Sequence, residues 1–512
     1  MTELSERPAE IPADVVAFDP VARAWLTEAG AAARPDRDGL AEIPPLPRGT
    51  LRVDPAELVD DGDDFGHIVH HTPGGVLRTD SVEEIAAYLR FCNAYRIQVA
   101  ARGQGHGTYG QAQVDGGLVI ETEQLDGIGP VAAGQVTVGA GALWSAVVRE
   151  TLRHGLTPPV FTDYLELSVG GTLSVGGLGG QAHLYGAQVD NVVALDVVTG
   201  EGELVSCSPT RYPDLFRAVL AGLGQCAVIV SATLRLITAP RQVRRYLLPY
   251  QDLEDFLADQ RGFVGNKRFV YVEGTADMDE EHQFTGYTLE AVIYGPSGAA
   301  AADPAADPDA EPDAEPDAEP DWNDDEVLRD LRFDRSAEYR AETLGYFDFL
   351  NRLADGVAGL KREGYWTWAH PWLNLLLPGD RAPELARTLL DGFAGHDVGP
   401  GGVVLIYPLV RDRLSASPML RVPDDPTPYL LAVLWTLDPA DPAAVRARVD
   451  ANRAAYETVR AAGGTQYPVG SVPMAPDDWR AQYGDAWAEF SAAKRRYDPH
   501  RLLAPGQHVF TR

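Results

Sequence analysis

Arg102-Gly103-Gln104-Gly105-His106-Gly107-Thr108-Tyr109-Gly110-Gln111 lies between two short apolar runs, Ile97-Gln98-Val99-Ala100-Ala101 and Gly117-Leu118-Val119-Ile120-Glu121. Both runs have the length and composition of strands. Glycine at three alternate positions after a strand invites a Rossmann reading. That motif must open a helix and be followed about 20 residues on by an acid after a second strand. Here the loop runs into a polar turn and another strand, so a nicotinamide-binding Rossmann unit is excluded. What remains is a tight loop whose small residues leave consecutive backbone N–H groups open, a suitable cradle for a pyrophosphate. His106 sits inside it. A lone loop histidine is more often a surface or hydrogen-bonding residue. Its place between glycines raises an alternative, because a neutral imidazole can bond an electrophilic carbon of a cofactor.

Upstream, Ser81 to Phe91 places apolar residues at helical spacing, with Asp80 or Ser81 as cap and Glu83 and Glu84 in the first turn. Downstream, Gln135-Val136-Thr137-Val138 reads as a strand, Leu143 to Leu152 as an amphipathic helix, and 170–180 as a second glycine-rich stretch. Val192 to Val198 reads as a buried strand that turns through Thr199-Gly200-Glu201-Gly202 into Glu203-Leu204-Val205-Ser206, a hairpin. Alternating short strands and helices to about residue 240 predict one α+β domain. From Val243 longer helical patterns alternate with strands such as Phe269–Glu273 and Val403–Tyr407, which predicts a second. Residues 1–60, with weak periodicity, read as a helical N-terminal extension. Residues 298–325 alternate Pro with acids and cannot build a core, so they are expected to form a disordered surface insertion.

The 512 residues are too many for one compact core, consistent with two domains. The net charge of −32 argues against a nucleic-acid partner, since a phosphate backbone would be repelled. Twelve acids between 303 and 326 account for part of it, leaving about −20 elsewhere. Cys92, Cys207 and Cys226 cannot all pair and lack metal-site spacing, so no metal is expected. The start, Met1 to Glu6, lacks the basic and apolar regions of a signal peptide, and no window of about 18 apolar residues could span a membrane. The expected location is cytoplasmic.

The stretch Arg102 to Ala112 resembles the flavin loop of the cytokinin dehydrogenases, a branch of the vanillyl-alcohol oxidase and p-cresol methylhydroxylase (PCMH) superfamily. The resemblance continues in Phe161-Thr162-Asp163-Tyr164-Leu165 to Ser174, Gly180-Gln181-Ala182, Glu201-Gly202-Glu203, Leu223-Gly224-Gln225, Tyr271-Val272-Glu273-Gly274 and His370-Pro371-Trp372-Leu373-Asn374-Leu375. It ends in Lys494-x-x-Tyr497-Asp498-Pro499 and Leu502 to Gln507, so it spans about 65–512 outside the acidic insertion. It implies a two-domain PCMH-type FAD-binding fold, α+β, with an antiparallel-sheet substrate domain. Residues 1–59 would be an extension, 60–242 and 466–512 two parts of the FAD domain, and 243–465 the substrate domain.

The resemblance further implies FAD attached through His106, whose family counterpart is bonded to the flavin 8α carbon. Two departures are Gly107, where Ser is usual, and Phe161, where Trp is usual. No second linking Cys is evident in 170–181. FAD contacts carried over by position are Arg102, Gly103, Gln104, Gly105, Gly107, Gln111, Asp163, Ser168, Ser174, Ile229, Tyr467 and Gln507. Asp163, in a turn where an Asp ordinarily bonds backbone, becomes the acceptor of the substrate's N–H proton. Glu273, flanked by apolar neighbours, becomes a carboxylate of the pocket, and two such groups would raise each other's pKa. Asn374 would face the flavin and must find partners if buried; Trp372 would touch substrate, although Trp is more often core.

The implied activity is oxidation of the C–H beside an amine nitrogen of an N6-substituted adenine by hydride transfer to flavin N5, with oxygen or a quinone as electron acceptor. Two alternatives keep the flavin: another substrate, such as an alcohol or a bacterial secondary metabolite, or a flavin-binding protein without catalysis.

Overall fold

The computed structural model describes residues 15–35, 37–295 and 322–510. The glycine-rich loop leaves the end of strand Val99–Arg102, which pairs in parallel with Leu118–Glu121. Gly75–Arg78 lies parallel on the other side of Leu118–Glu121, and Thr50–Arg52 adds an antiparallel edge. Helix Val82–Tyr95 covers this sheet, capped by Ser81 Oγ accepting from the Glu84 N–H. A second four-stranded sheet is wholly antiparallel, in the order Leu204–Cys207, Val192–Thr199, Ala227–Arg235, Gln135–Gly139. The expected hairpin at 199–203 is its edge.

The remaining large element is an eight-stranded antiparallel sheet. Four neighbouring strands in it are Tyr271–Met278, Val403–Pro408, Tyr429–Leu434 and Leu373–Leu377. Strand side chains alternate between faces, and the alternation divides the core. Val272, Leu373, Leu375, Leu431 and Val433 pack on helices Leu253–Asn266, Ala382–Phe393 and Pro442–Ala461. Tyr271, Leu376, Leu430 and Ala432 face the other way, into the cluster formed with the glycine-rich half. Glu273 shares its face with Tyr271, and Asn374 with Leu376. Both polar side chains therefore point at the contact between the halves.

Two expectations are corrected. The described N-terminal residues are not chiefly helical: Ala24–Thr27, Val15–Asp19 and Ala41–Glu42 form a small sheet, and only Glu28–Ala32 is α-helix. Phe18 and Trp25 decide this, burying their rings against each other (5.0 Å) and against Phe91 (5.8 and 5.4 Å). Most of the acidic insertion lies outside the described residues, but its end is ordered. Asn323 caps helix Asp324–Leu328, and Asp324 accepts from the Tyr246 hydroxyl at 2.6 Å and from Arg244 Nε at 3.2 Å. The charge there is paired rather than solvated. Part of the second glycine-rich stretch is also helical, over Val169–Val175.

Candidate active site

Three pieces of chain converge on the loop at 102–111. Residues 60–66 cross it: the Phe65 N–H donates to the Gly105 carbonyl (2.9 Å) and the Gly66 N–H to that of Gly107 (3.1 Å). Arg102 donates to the carbonyls of Asp63 (2.6 Å) and Asp60 (3.3 Å). From the far end of the chain, Val469 and Gly470 carbonyls accept from Thr108 Oγ1 (2.8 Å) and Gln111 Nε2 (3.1 Å), and Ser471 Oγ donates to the Thr108 carbonyl (2.9 Å). Gly506 backs the loop so closely that a Cβ would sit 2.1 Å from the Gly110 carbonyl oxygen.

Two of the loop's glycines stand where a side chain is not readily accommodated. A Cβ at Gly103 would lie 2.1 Å from Ser168 Oγ, and one at Gly105, whose φ is +63°, 2.3 Å from the Arg102 guanidinium. At Gly107 the nearest atom is Gln111 Oε1 at 2.8 Å, the end of a flexible side chain. Buried Asp64 holds the turn by accepting from the Gly66 (3.0 Å) and Gly110 (2.7 Å) N–H groups. Its burial pushes the carboxyl up to about 7, against the pull of those hydrogen bonds.

His106 is enclosed by aromatic rings. Phe65 stacks on it at 4.1 Å and carries His370 on its other face at 4.0 Å. Tyr164, Trp372 and Trp366 stand 5.4, 5.7 and 5.9 Å away. Burial pushes the imidazole down to about 3, with His370 and Lys361 adding to the effect, so the ring is neutral near pH 7. That is the form in which a ring nitrogen can act as a nucleophile.

Beside this enclosure, Tyr164 leads directly to Asp163. Tyr271 and Glu273, two apart on one strand, face it together. Asp163 Oδ1 accepts from the Tyr271 hydroxyl (2.8 Å) and from Arg352 Nη2 (2.7 Å). Arg352 also reaches the Tyr271 hydroxyl, and its Nε stands 3.2 Å from Glu290 Oε1. Burial drives both carboxyls up. At Asp163 the Arg352 charge, with hydrogen bonds from Glu273, Tyr271 and Arg352, outweighs it and leaves the group below the usual carboxylate range. Glu273 has burial and the Asp163 charge acting in the same direction and is held well above it. A cleft of about 190 Å³ opens next to Asp163, between Tyr164 and Glu166 on one side and Leu353, Val357, Ala358 and Lys361 on the other. A larger cavity of about 500 Å³, bordered by Arg480, Trp487 and Phe510, shares no residue with this site.

The other expected positions divide. Ser168 borders the loop at Gly103, and Asn374 Nδ2 would stand 3.2 Å from a Cβ at Gly470, within the strap that holds the loop. Gln507 is buried in the turn behind the loop. Tyr467 accepts from the Gly177 N–H at 3.0 Å. Gln104 is exposed and donates to Glu123 (3.3 Å). The Ser174 hydroxyl donates to the Gly170 carbonyl within its own helix (2.7 Å), and Ile229 is a buried strand residue opposite Val197. Neither of these two makes a contact that marks a ligand.

Sequence reasoning did not find Arg352, Phe65 or Asp64. The period-two spacing of Tyr271 and Glu273 was a signal for Tyr271. Arg352 has none, since its partner Asp163 is 189 residues away.

The residues fit a flavin nucleotide. The cradle at Gly103 and Gly105 lacks room for any Cβ, as a pyrophosphate site requires. Trp372 Nε1, Asn374 Nδ2 and Glu273 Oε1 are among the buried polar atoms without a hydrogen-bond partner. Buried polar atoms are nearly always paired, so these three, beside His106, Gly470 and Asp163 in turn, read as partners for a bound group.

Comparison with known proteins agrees. A family model described as an FAD binding domain matches residues 73–208, and one described as cytokinin dehydrogenase, FAD and cytokinin binding, matches 311–510. The chain is 40% identical over 461 residues to an uncharacterized oxidoreductase in the fasciation locus of Rhodococcoides fascians, covering 90% of this chain and 99% of that protein. It is 36% identical over 485 residues to cytokinin dehydrogenase 8 of Oryza sativa subsp. indica (88% and 90% covered). To cytokinin dehydrogenase 3 of Oryza sativa subsp. japonica it is 33% identical over 494 residues (91% and 92%). Among the described residues no helix is long and apolar enough to cross a membrane. With near-complete coverage at such identity, the chain belongs to the cytokinin dehydrogenase family and is an FAD-binding oxidoreductase of two-domain PCMH-type architecture.

Proposed function

We propose that the protein oxidises the C–H bond beside the amine nitrogen of a cytokinin-like N6-substituted adenine, with FAD joined to His106. The observation that carries this reading is the Asp163–Glu273 pair, with Asp163 lining the cleft next to the His106 enclosure and Glu273 buried beside it. Residues 60–242 and 466–512 would hold the cofactor, with Arg102 to Gln111, Ser168, Tyr467 and Gln507 around it, and 243–465 the substrate. Bound FAD supplies a two-electron acceptor, regenerated by oxygen or a quinone.

The chain's own residues orient the amine and take its proton. Asp163, held as the anion, accepts the substrate N–H; the N–H bond breaks, an O–H bond forms, and the electron pair left on nitrogen closes the C=N bond as the neighbouring carbon gives up hydride. Water then opens the imine to an aldehyde and free adenine. Asn374 and Trp372 offer hydrogen-bond donors on the same side. The apolar wall of Leu353, Val357 and Ala358 suits a flat ring, and the neutral His106 suits the covalent bond.

The test is an absorption spectrum before and after acid precipitation, followed by anaerobic addition of isopentenyladenine. The expected result is yellow colour in the pellet and bleaching by the amine. A colourless pellet would overturn the His106 link, and colour that isopentenyladenine does not bleach would overturn the substrate.

A further inference from the structure

We infer that Arg352 is a positioning residue that decides which carboxyl of the Asp163–Glu273 pair carries the proton; its use in turnover rests on the reading above. The Arg352 side chain is 11% exposed, and its guanidinium lies 4.9 Å from the ring centres of both Tyr271 and Phe349. Its donors are divided between the two halves of the site: Nη2 to Asp163 and the Tyr271 hydroxyl, Nε to Glu290. Arg245 bonds the same Glu290 Oε1 at 2.7 Å and reaches Glu342 at 3.0 Å. Two guanidinium groups thus stand among four carboxyls and pair with three of them, Asp163, Glu290 and Glu342; Glu273 has no ion pair with either.

An unpaired carboxylate beside Asp163 in a buried site is costly, so Glu273 keeps its proton. The other groups facing the pair do not change this. The Tyr271 and Tyr407 phenols are buried and held neutral, while Glu166 and Lys361 stand at the cleft mouth. Because Arg352 and Tyr271 both bond Oδ1, the Asp163 carboxylate cannot rotate without losing two donors. Arg352 therefore fixes charge and orientation together, leaving Asp163 as the one empty proton acceptor.

The experiment is infrared titration of the flavin-loaded protein, wild type and Arg352→Met, Arg352→Lys, Glu273→Gln and Asp163→Asn, alongside pH profiles of kcat/KM with isopentenyladenine. The wild-type-minus-E273Q difference spectrum near pH 7, in which Asp64 cancels, should show a buried protonated carboxyl, and that band should persist in D163N. R352M should gain a second one, and its acid limb should move up by about one pH unit or more; R352K should restore much of the shift. A residue serving only stability would lower the melting temperature without moving either signal. A band and limb in R352M equal to wild type, or a wild-type-minus-E273Q difference without a protonated carboxyl, overturns the inference. Should R352M fail to fold, the band in wild type, E273Q and D163N and the limb in R352K still decide. If no amine is oxidised, the functional reading fails while the infrared result still stands by itself.

Discussion

Replacing Lys494 by Met should loosen the flavin loop from behind. Lys494 Nζ donates to the Gln225 carbonyl (2.7 Å), to Gln225 Oε1 (3.1 Å) and to the Leu503 carbonyl (3.1 Å), and it pairs with Asp498 at 2.8 Å. The two side chains are 2% and 0% exposed. Asp498 in turn accepts from the Leu502 and Leu503 N–H groups (3.0 and 2.9 Å), the backbone that joins strand Val99–Arg102 and leads into the turn under Gly110. Met fills most of the volume but leaves a buried anion and several carbonyls unpaired. Removing one partner of such a pair costs about 3–5 kcal/mol, a large part of a stability of about 5–15 kcal/mol. Urea unfolding of FAD-free and FAD-loaded protein measures it. The double variant K494M/D498N, which removes the stranded charge and keeps an acceptor for one N–H, should recover about 1–2 kcal/mol. A single-variant loss below about 1 kcal/mol, or a double variant no more stable than the single, would refute the assignment of this pair as the anchor of the turn.

Asp163→Asn should leave the protein yellow and lower kcat/KM about 10²–10⁴-fold, the usual worth of a positioned base; stopped-flow bleaching checks it. Gly103→Ala should cost about 1–3 kcal/mol through overpacking on Ser168 and weaken FAD uptake, with partial rescue in G103A/S168A, read by flavin fluorescence titration. His370, 4% exposed and pushed down to about 4 by burial, stays neutral in the fold while the unfolded chain takes its proton near 6.5. Its contribution is therefore complete above about 6.5 and lost as pH falls toward about 4. The FAD-free protein should lose melting temperature over that window more steeply than His370→Asn; parallel curves would contradict this. Asp64, raised to about 7, tilts both proteins the opposite way and cancels in the comparison.

What the sequence disclosed follows the range of the interactions involved. The loop was legible because its glycines, its flanking strands and His106 are contiguous, and the steric demands at Gly103 and Gly105 are local. Glu273 and Asn374 were legible as polar residues in apolar strands, although the face on which each lies became visible only with the packing of the sheet. The N-terminal sheet was not, because Phe18 and Trp25 form strands only to cover Phe91 on a helix some 70 residues away in sequence. Arg352 was equally hidden: nothing near Asn351-Arg352-Leu353 announces a partner. Ser174, suggested by position, has its hydroxyl donating to the Gly170 carbonyl of its own helix.

The strap of 467–472 over the loop has a consequence for how the protein is made. The Thr108–Val469 and Ser471–Thr108 bonds span 361 and 363 residues. A ribosome adding about 5–20 residues per second releases the loop roughly 20–70 s before the residues that close over it. During that interval the nascent chain carries a cradle without its clasp. Cofactor capture is thereby deferred until residues 467–472 have been made, and yellow colour in a cell becomes a mark of chains that carry the clasp as well as the cradle.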